Sequence, residues 1–173
     1  MNTTFKMMMM GIGAWVGVLL GVFLFAGAAR AAEPPSTAEV LEKLHRANLT
    51  EIEAGKLAQD NGHSKATKDY GKMLVSDHTS ADKQVVALAQ EEKIDLSPST
   101  PVVGSKDLAD LSAGPAFDRR FARSMVDDHK KDIAELTAVR DSTSDAKLKA
   151  LVTALLPKLE KHERMAESLE HGK

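Results

Sequence analysis

Four stretches of this sequence repeat apolar residues at intervals of three and four, the spacing that places them along one face of an α-helix. The turn between the first two stretches is short, and so is the turn between the last two, whereas residues 94–114 separate the middle pair. No stretch of useful length alternates apolar and polar residues as a strand would. The pattern therefore predicts an all-α bundle of four helices arranged as two hairpins.

Capping and breaking residues mark where the predicted helices begin and end. Ser36 and Glu39 form a capping box before the first helix, and Gly62 ends it. Ser64 is predicted to cap the second helix. Pro157 lies inside the fourth and is expected to kink it. The predicted helices cover residues 37–60, 65–93, 115–141 and, after the polar turn at 142–144, the residues up to 170.

The linker between the hairpins contains two prolines and two glycines, and residues 106–111 within it are predicted to form one short helical turn. Its length is sufficient to cross the bundle from end to end, as in ferritin-like folds. That topology makes the second and third helices parallel. A bundle that runs up, down, up and down, with an unstructured middle loop, is the alternative.

The first 31 residues differ from the rest of the chain. Residues 7–28 are uncharged and apolar, and Ala29-Arg30-Ala31 fits a cleavage site with small residues on either side of Arg30. Residues 1–31 are therefore predicted to be a secretory signal peptide, which places the bundle at 36–170 in the periplasm or cell envelope. Since 22 uncharged residues could also span a bilayer, an uncleaved inner-membrane anchor with the bundle outside the cytoplasm is the alternative.

Composition excludes several kinds of function. The chain has no cysteine, so it can form neither a disulfide nor a thiolate metal site. Acidic residues outnumber basic ones by 25 to 23 and aromatic residues make up 4%, so no basic face or stacking platform for nucleic acid is expected. A membrane would be contacted only through residues 7–28, if these remain uncleaved. A homo-oligomer is compatible with the sequence, which does not determine the oligomeric state.

Each predicted helix has polar residues among the apolar residues that face the core. The second, third and fourth helices contribute His78, His129 and His162, and the first contributes Asn48 and Glu51. Counting residues along parallel second and third helices places His78 and His129 at the same depth, with Glu51 within about one turn of that level. The same counting leaves His162 roughly 10 Å from the others. Because burial of unpaired polar groups is unfavourable, these side chains are expected to find partners or a metal ion.

The candidate metal ligands are therefore Glu51, His78, His129 and His162. A site with two or three histidines and one carboxylate would suit zinc, iron(II), nickel or copper(II). A di-iron site of the ferritin-like type is disfavoured, because no glutamate precedes any of these histidines by three residues. Asp77 could orient a histidine of another helix or could simply face water. A hydrogen-bonded polar layer without metal explains the same residues and is the alternative.

Four segments of the chain resemble motifs of the bacterial "domain of unknown function 4142" family. The resemblance lies in residues 48–58, 70–78, 117–129 and 156–162, in that order along the chain. It implies a ferritin-like bundle and an export signal, in agreement with the patterns above. It implies no settled biochemical activity.

Three functions follow as hypotheses from these features. The first is an exported metal-binding bundle with a role in envelope or stress protection. The second is a non-catalytic structural or stress-response bundle in which the buried histidines and glutamate only hold the helices together. The third, which ranks last, is an enzyme in which Glu51 or a histidine acts as a base at a bound metal. It ranks last because the sequence contains neither a nucleophile elbow nor a phosphate-binding loop.

We predict that the exported protein begins at Ala32, because the small residues at 29 and 31 are followed by a polar, proline-containing start. The intact mass of the protein recovered from a bacterial envelope fraction measures this directly. A mass that retains residues 7–28 would show that the segment serves as an anchor.

Overall fold

The computed structural model describes residues 35–96, 114 and 116–172. Within these residues the chain forms four α-helices and no strand, which confirms the predicted all-α four-helix bundle. The signal segment at 1–31 and the helical turn predicted at 106–111 lie outside the described residues. The helices are α1 (Thr37–Asn61), α2 (Lys65–Glu91), α3 (Phe117–Ser142) and α4 (Ala146–Glu170).

Side-chain caps begin three of the four helices. The Ser36 and Glu39 capping box is present at α1, and the Ser64 side chain accepts a hydrogen bond from the Thr67 amide at α2, as predicted. Asp145, which was not predicted as a cap, begins α4 by accepting hydrogen bonds from two amides of the first turn. Each of these oxygens satisfies backbone donors that the helix itself leaves without partners.

Contacts at one end of the bundle show that α1 and α4 begin side by side. The Thr37 hydroxyl donates to Asp145 Oδ2 over 2.8 Å. Lys147, in the first turn of α4, donates to Glu91 and Glu92 at the end of α2, over 2.8 and 2.7 Å. Helices α1 and α4 therefore run in the same direction, and α2 runs opposite to both.

The beginning of α3 lies against the turn that joins α1 to α2. The carboxylate of Asp118 accepts a hydrogen bond from the backbone amides of His63 and Ser64, each over 2.8 Å. Helix α3 thus begins where α2 begins, and the two helices are parallel. This is the crossover arrangement that the long linker predicts, and it excludes the up-down-up-down alternative.

Two apolar clusters fill the two ends of the bundle, and a layer of polar side chains separates them. The layer consists of the buried residues Asn48, Glu51, His78, His129 and His162. On every helix, this polar layer lies between residues of one cluster and residues of the other. The first cluster contains Val40, Leu41, Val85, Leu88, Ala89, Leu136, Leu148, Val152, Leu156 and Leu159. The second contains Ala54, Ala58, Tyr70, Leu74, Phe117, Phe121, Met125, Val126 and Ala166.

Helices α1 and α2 are in close backbone contact at two glycines. A Cβ atom added to Gly71 would lie 2.5 Å from the Gly55 carbonyl oxygen, and one added to Gly55 would lie 2.7 Å from the Gly71 carbonyl oxygen. Both distances are shorter than side chains tolerate, so each helix needs glycine at this crossing. The contact fixes how far the two helices are shifted along each other.

Within the part of the chain that the structure describes, no helix combines the length and apolar character that a bilayer span requires. The apolar segment at residues 7–28 lies outside that part, so its prediction as a signal or anchor stays a prediction.

We predict that Gly71→Ala lowers the free energy of unfolding by roughly 1–3 kcal/mol, because the new methyl group must displace the backbone of α1. At an open helical site the same change would instead stabilise by about 1 kcal/mol. Denaturant unfolding of both proteins measures the difference. The exposed neighbour Lys72→Ala is the control and should change stability by less than about 0.5 kcal/mol. A Gly71→Ala protein as stable as the parent would contradict the close contact.

Candidate metal centre

Three histidine side chains meet in the middle of the bundle. His78, His129 and His162 are 5%, 1% and 1% exposed, and their ring centres lie 5.2–5.9 Å apart. One nitrogen of each ring lies within 4.8 Å of a nitrogen of both others. Among the described residues, this is the only group of three or more histidines and carboxylates close enough to hold a metal ion.

The helical repeat brings each histidine to the centre. Each occupies a position three or four residues from buried residues on the same face of its helix, so packing the apolar face inward also turns the histidine inward. These flanking buried residues are Leu74 and Ala81 for His78, Met125 and Val126 for His129, and Leu159 and Ala166 for His162.

In two of the rings, a hydrogen bond from Nδ1 determines which nitrogen carries the proton. His78 Nδ1 donates to Asn48 Oδ1 over 2.9 Å, and His129 Nδ1 donates to the Met125 carbonyl oxygen over 2.8 Å. Both oxygens can only accept. In the neutral form of each ring, Nε2 therefore carries a free lone pair.

The third ring uses its nitrogens in the opposite way. His162 Nε2 donates to Asp77 Oδ2 over 3.0 Å, which leaves Nδ1 with the lone pair. Asp77 belongs to α2, so it orients a histidine of another helix, one of the two roles that the sequence suggested. Tyr70 further fixes α4 here, because its hydroxyl donates to the His162 carbonyl oxygen over 3.1 Å.

Two of the three lone pairs face each other with no proton between them, and the third is buried. His129 Nε2 is 3.3 Å from His162 Nδ1, although each ring has already used its proton elsewhere. His78 Nε2 is buried and has no hydrogen-bond partner among the described residues. Without a cation, two of these nitrogens would face each other as acceptors and the third would remain unsatisfied.

Burial keeps all three rings neutral. Desolvation is the largest influence on each: it lowers the pKa of His129 to about 4, and it lowers the pKa of His78 and of His162 below the ordinary value of 6.5. The neighbouring histidines lower the pKa of His78 further. Each neutral ring carries one proton. An additional proton that would bridge two of the rings is therefore disfavoured at neutral pH.

The geometry suits a transition-metal ion. Two nitrogens bound to a tetrahedral zinc ion at 2.0–2.1 Å are roughly 3.3 Å apart, which matches the separation of His129 Nε2 and His162 Nδ1. The second nitrogen of each ring is held by an amide oxygen, a backbone carbonyl or a carboxylate, as metal-bound histidines usually require. The three buried histidines could therefore hold a metal ion.

His162 lies closer to the other histidines than residue counting predicted. The expected separation of roughly 10 Å was wrong, since the nearest nitrogens of His162 and His129 are 3.3 Å apart. The counting ignored the shape of the turn before α4, where Thr143 and Asp145 have extended backbones. An extended residue advances about 3.3 Å, compared with 1.5 Å in a helix, so α4 does not begin level with the end of α3.

Glu51 lies in the same polar layer but outside the histidine group. It is 6% exposed, and its Oε2 has no hydrogen-bond partner among the described residues. Desolvation, with smaller contributions from Asp128 and Asp132, raises the pKa of Glu51 to about 8. Its carboxylate is not among the atoms that lie within 4.8 Å of one another, so its role as a ligand stays a prediction.

Sequence reasoning missed two contributors to this centre. Asn48 was recognised as a buried polar residue, but not as the partner of His78. The Met125 carbonyl gave no signal at all, because a backbone oxygen of a helix becomes a partner only when the side chain four residues later turns back onto it.

The comparisons with known proteins concern the whole bundle. The family described as Domain of unknown function (DUF4142) matches residues 25–169. The chain belongs to this family. The match covers all four helices of the DUF4142 bundle and every residue of the histidine group, and it confirms the resemblance noted in the sequence. No curated protein and no solved structure matched the chain.

We predict that Glu51→Gln makes the metal-free protein more stable at high pH. The folded-state pKa of Glu51, about 8, lies above its ordinary value of 4.5, so the folded protein holds this proton while the unfolded chain releases it. The stability that depends on this proton is complete below pH 4.5 and is lost as the pH rises through 8. Glutamine imitates the protonated side chain at every pH.

The expected gain for Glu51→Gln is roughly 2–4 kcal/mol at pH 9 and less than about 1 kcal/mol at pH 5. Denaturant unfolding at both pH values, with a chelator present, measures it. Glu42→Gln changes an exposed glutamate of the same helix and should show no comparable gain at either pH. Equal effects of Glu51→Gln at pH 5 and pH 9 would show that Glu51 is not held protonated.

Proposed function

We propose that the DUF4142 bundle binds one divalent transition-metal ion through His78 Nε2, His129 Nε2 and His162 Nδ1. The proposal rests on the 3.3 Å distance between His129 Nε2 and His162 Nδ1, because the proton of each ring is on the other nitrogen and is donated to another acceptor. A metal ion would accept both lone pairs, and also the lone pair of His78 that has no partner.

The donor atoms narrow the class of metal. Neutral imidazoles suit zinc, copper(II), nickel and iron(II), whereas calcium and magnesium prefer oxygen ligands. Three nitrogen ligands leave at least one coordination position open, as in sites that bind or transform a further molecule. Glu51 is the candidate for an additional ligand, since it is the buried carboxylate of the same layer.

The proposed physiological role is metal binding in the cell envelope, in buffering or in protection against stress. It is supported by the predicted export signal at residues 1–31 together with the buried histidine group. The alternative is a polar layer without metal that only stabilises the bundle. In that case His129 or His162 would have to carry an extra proton, and the adjacent carboxylate of Asp77 favours His162.

We predict that the metal-free protein binds zinc, copper(II), nickel or iron(II) with one ion per chain, and that His78→Ala, His129→Ala and His162→Ala each lose most of the affinity. Calorimetric titration measures both. Asn48→Ala and Asp77→Ala should weaken binding by roughly 10–100-fold, because they release a ring that binds the metal. Bound metal should raise the melting temperature, since it binds the folded state.

The matched control is His45→Ala. This histidine is half-buried and, like His162, is paired with a carboxylate, here Asp82 at 2.6 Å, but it is not part of the histidine group. Its variant should bind metal as the parent does. If the parent binds none of the four ions, or if the variants of the histidine group bind them as well as the parent does, the metal-binding proposal fails. The polar layer would then have only a structural role.

A further inference from the structure

A cavity of about 460 Å³ extends from the histidine group toward the end of the bundle where α1 begins and α3 ends. It lies largely between α1 and α3, which touch at only a few positions. Its volume is in the range of pockets that enclose small organic ligands. Apolar side chains from three helices form most of its wall, including Val40, Leu44, Leu136, Val139, Leu155 and Leu159.

The inner end of this cavity is polar and incompletely satisfied. His78, His162 and Asn48 all line it. Both His78 Nε2 and Asn48 Nδ2 are buried without a hydrogen-bond partner among the described residues, and each of these residues is 5% exposed. The apolar part of the cavity therefore leads to His78, whose Nε2 is proposed to bind the metal, and to the Asn48 amide, which has no acceptor among the described residues.

We infer that this cavity binds an unbranched fatty acid, whose carboxylate completes the coordination of the metal ion and whose alkyl chain lies along the apolar wall. The inference rests on the proposed function, because the metal supplies the charge that holds the carboxylate. One carboxylate oxygen would occupy the open coordination position, and the other could accept the hydrogen bond that Asn48 Nδ2 does not make. The chain would replace water along the apolar wall.

The charges around the cavity favour an anionic head group only when the metal is present. Three neutral imidazoles leave the two positive charges of the ion uncompensated, or one of them where Glu51 also binds, and the ammonium group of Lys158 also lines the cavity. Among the acidic groups of the wall, Glu39 is bonded to Ser36, Asp77 is bonded to His162, and Glu135 is paired with Lys43. Asp132 also lines the cavity and would repel an anion that no metal holds. The ligand should therefore bind to the metal-loaded protein and poorly to the metal-free protein.

The test uses the exported protein loaded with zinc, and calorimetric titration with decanoate below its micelle concentration. We expect one decanoate per chain. Binding should be at least tenfold weaker for decanol, which has the same chain without the carboxylate, and at least tenfold weaker for the zinc-free protein. Both comparisons distinguish binding through a carboxylate on the metal from binding of the apolar chain alone.

Substitutions that fill the cavity locate the ligand. Val139→Trp should weaken decanoate binding at least tenfold and leave the zinc affinity unchanged, which also shows that the variant is folded. Ala47→Phe narrows the same cavity from α1 and should act in the same direction. Val86→Trp is the matched control, since Val86 is a half-buried valine that does not line the cavity. It should bind both zinc and decanoate as the parent does.

Each outcome decides between the inference and the function on which it rests. Zinc binding without decanoate binding overturns the inference and leaves the metal centre intact. Equal affinity for decanol, or for the zinc-free protein, shows an unspecific apolar cavity and also overturns it. Unchanged decanoate binding in Val139→Trp and Ala47→Phe places the ligand elsewhere. A protein that binds no zinc overturns the proposed function and the inference together.

Discussion

The close contact of α1 and α2 at Gly55 and Gly71 sets the register of these two helices through the centre of the bundle. Two backbones that meet without side chains between them cannot slide along each other without a clash. Because α1 and α2 are antiparallel, the residue seven positions before Gly55 lies level with the residue seven positions after Gly71. Seven residues are nearly two full turns, so both residues also lie on the same helix faces as the glycines. These positions are Asn48 and His78, which share the hydrogen bond that fixes the His78 tautomer. One crossing thus determines which nitrogen of His78 faces the other histidines.

The sequence predicted the faces of the helices better than their positions along the bundle axis. Periodicity identified all three histidines and Glu51 as core-facing, because the repeat of a helix is constant. It misjudged the depth of His162, since that depth depends on the extended turn before α4. The hydrogen-bond partners Asp77 and Met125 depend on side-chain direction in three dimensions, and the cavity depends on how far α1 stands from α3. Neither the direction of a side chain nor the distance between two helices produces a periodic pattern in a single sequence.

The polar layer interrupts an otherwise continuous core, and this has an energetic consequence. Apolar residues in place of the layer would remove the buried groups that lack partners, namely Asn48 Nδ2, Glu51 Oε2 and His78 Nε2. Unsatisfied buried groups cost about 1–3 kcal/mol each. A bundle that only needed to be stable would therefore gain from losing them, whereas a bundle that binds an ion needs donor atoms kept dry and unprotonated. The arrangement of tautomers is consistent with the second requirement.

The division of the histidines between the hairpins determines when an ion could enter. The first hairpin contributes only His78, and the second contributes His129 and His162. The proton of His162 is held by Asp77 of the first hairpin, so its free nitrogen is also defined only after the hairpins have docked. A chain that is still unfolded, or folded only in halves, lacks the complete set of ligands. A chain that crosses a membrane unfolded would therefore cross without the proposed ion and would bind it only in the compartment in which it folds.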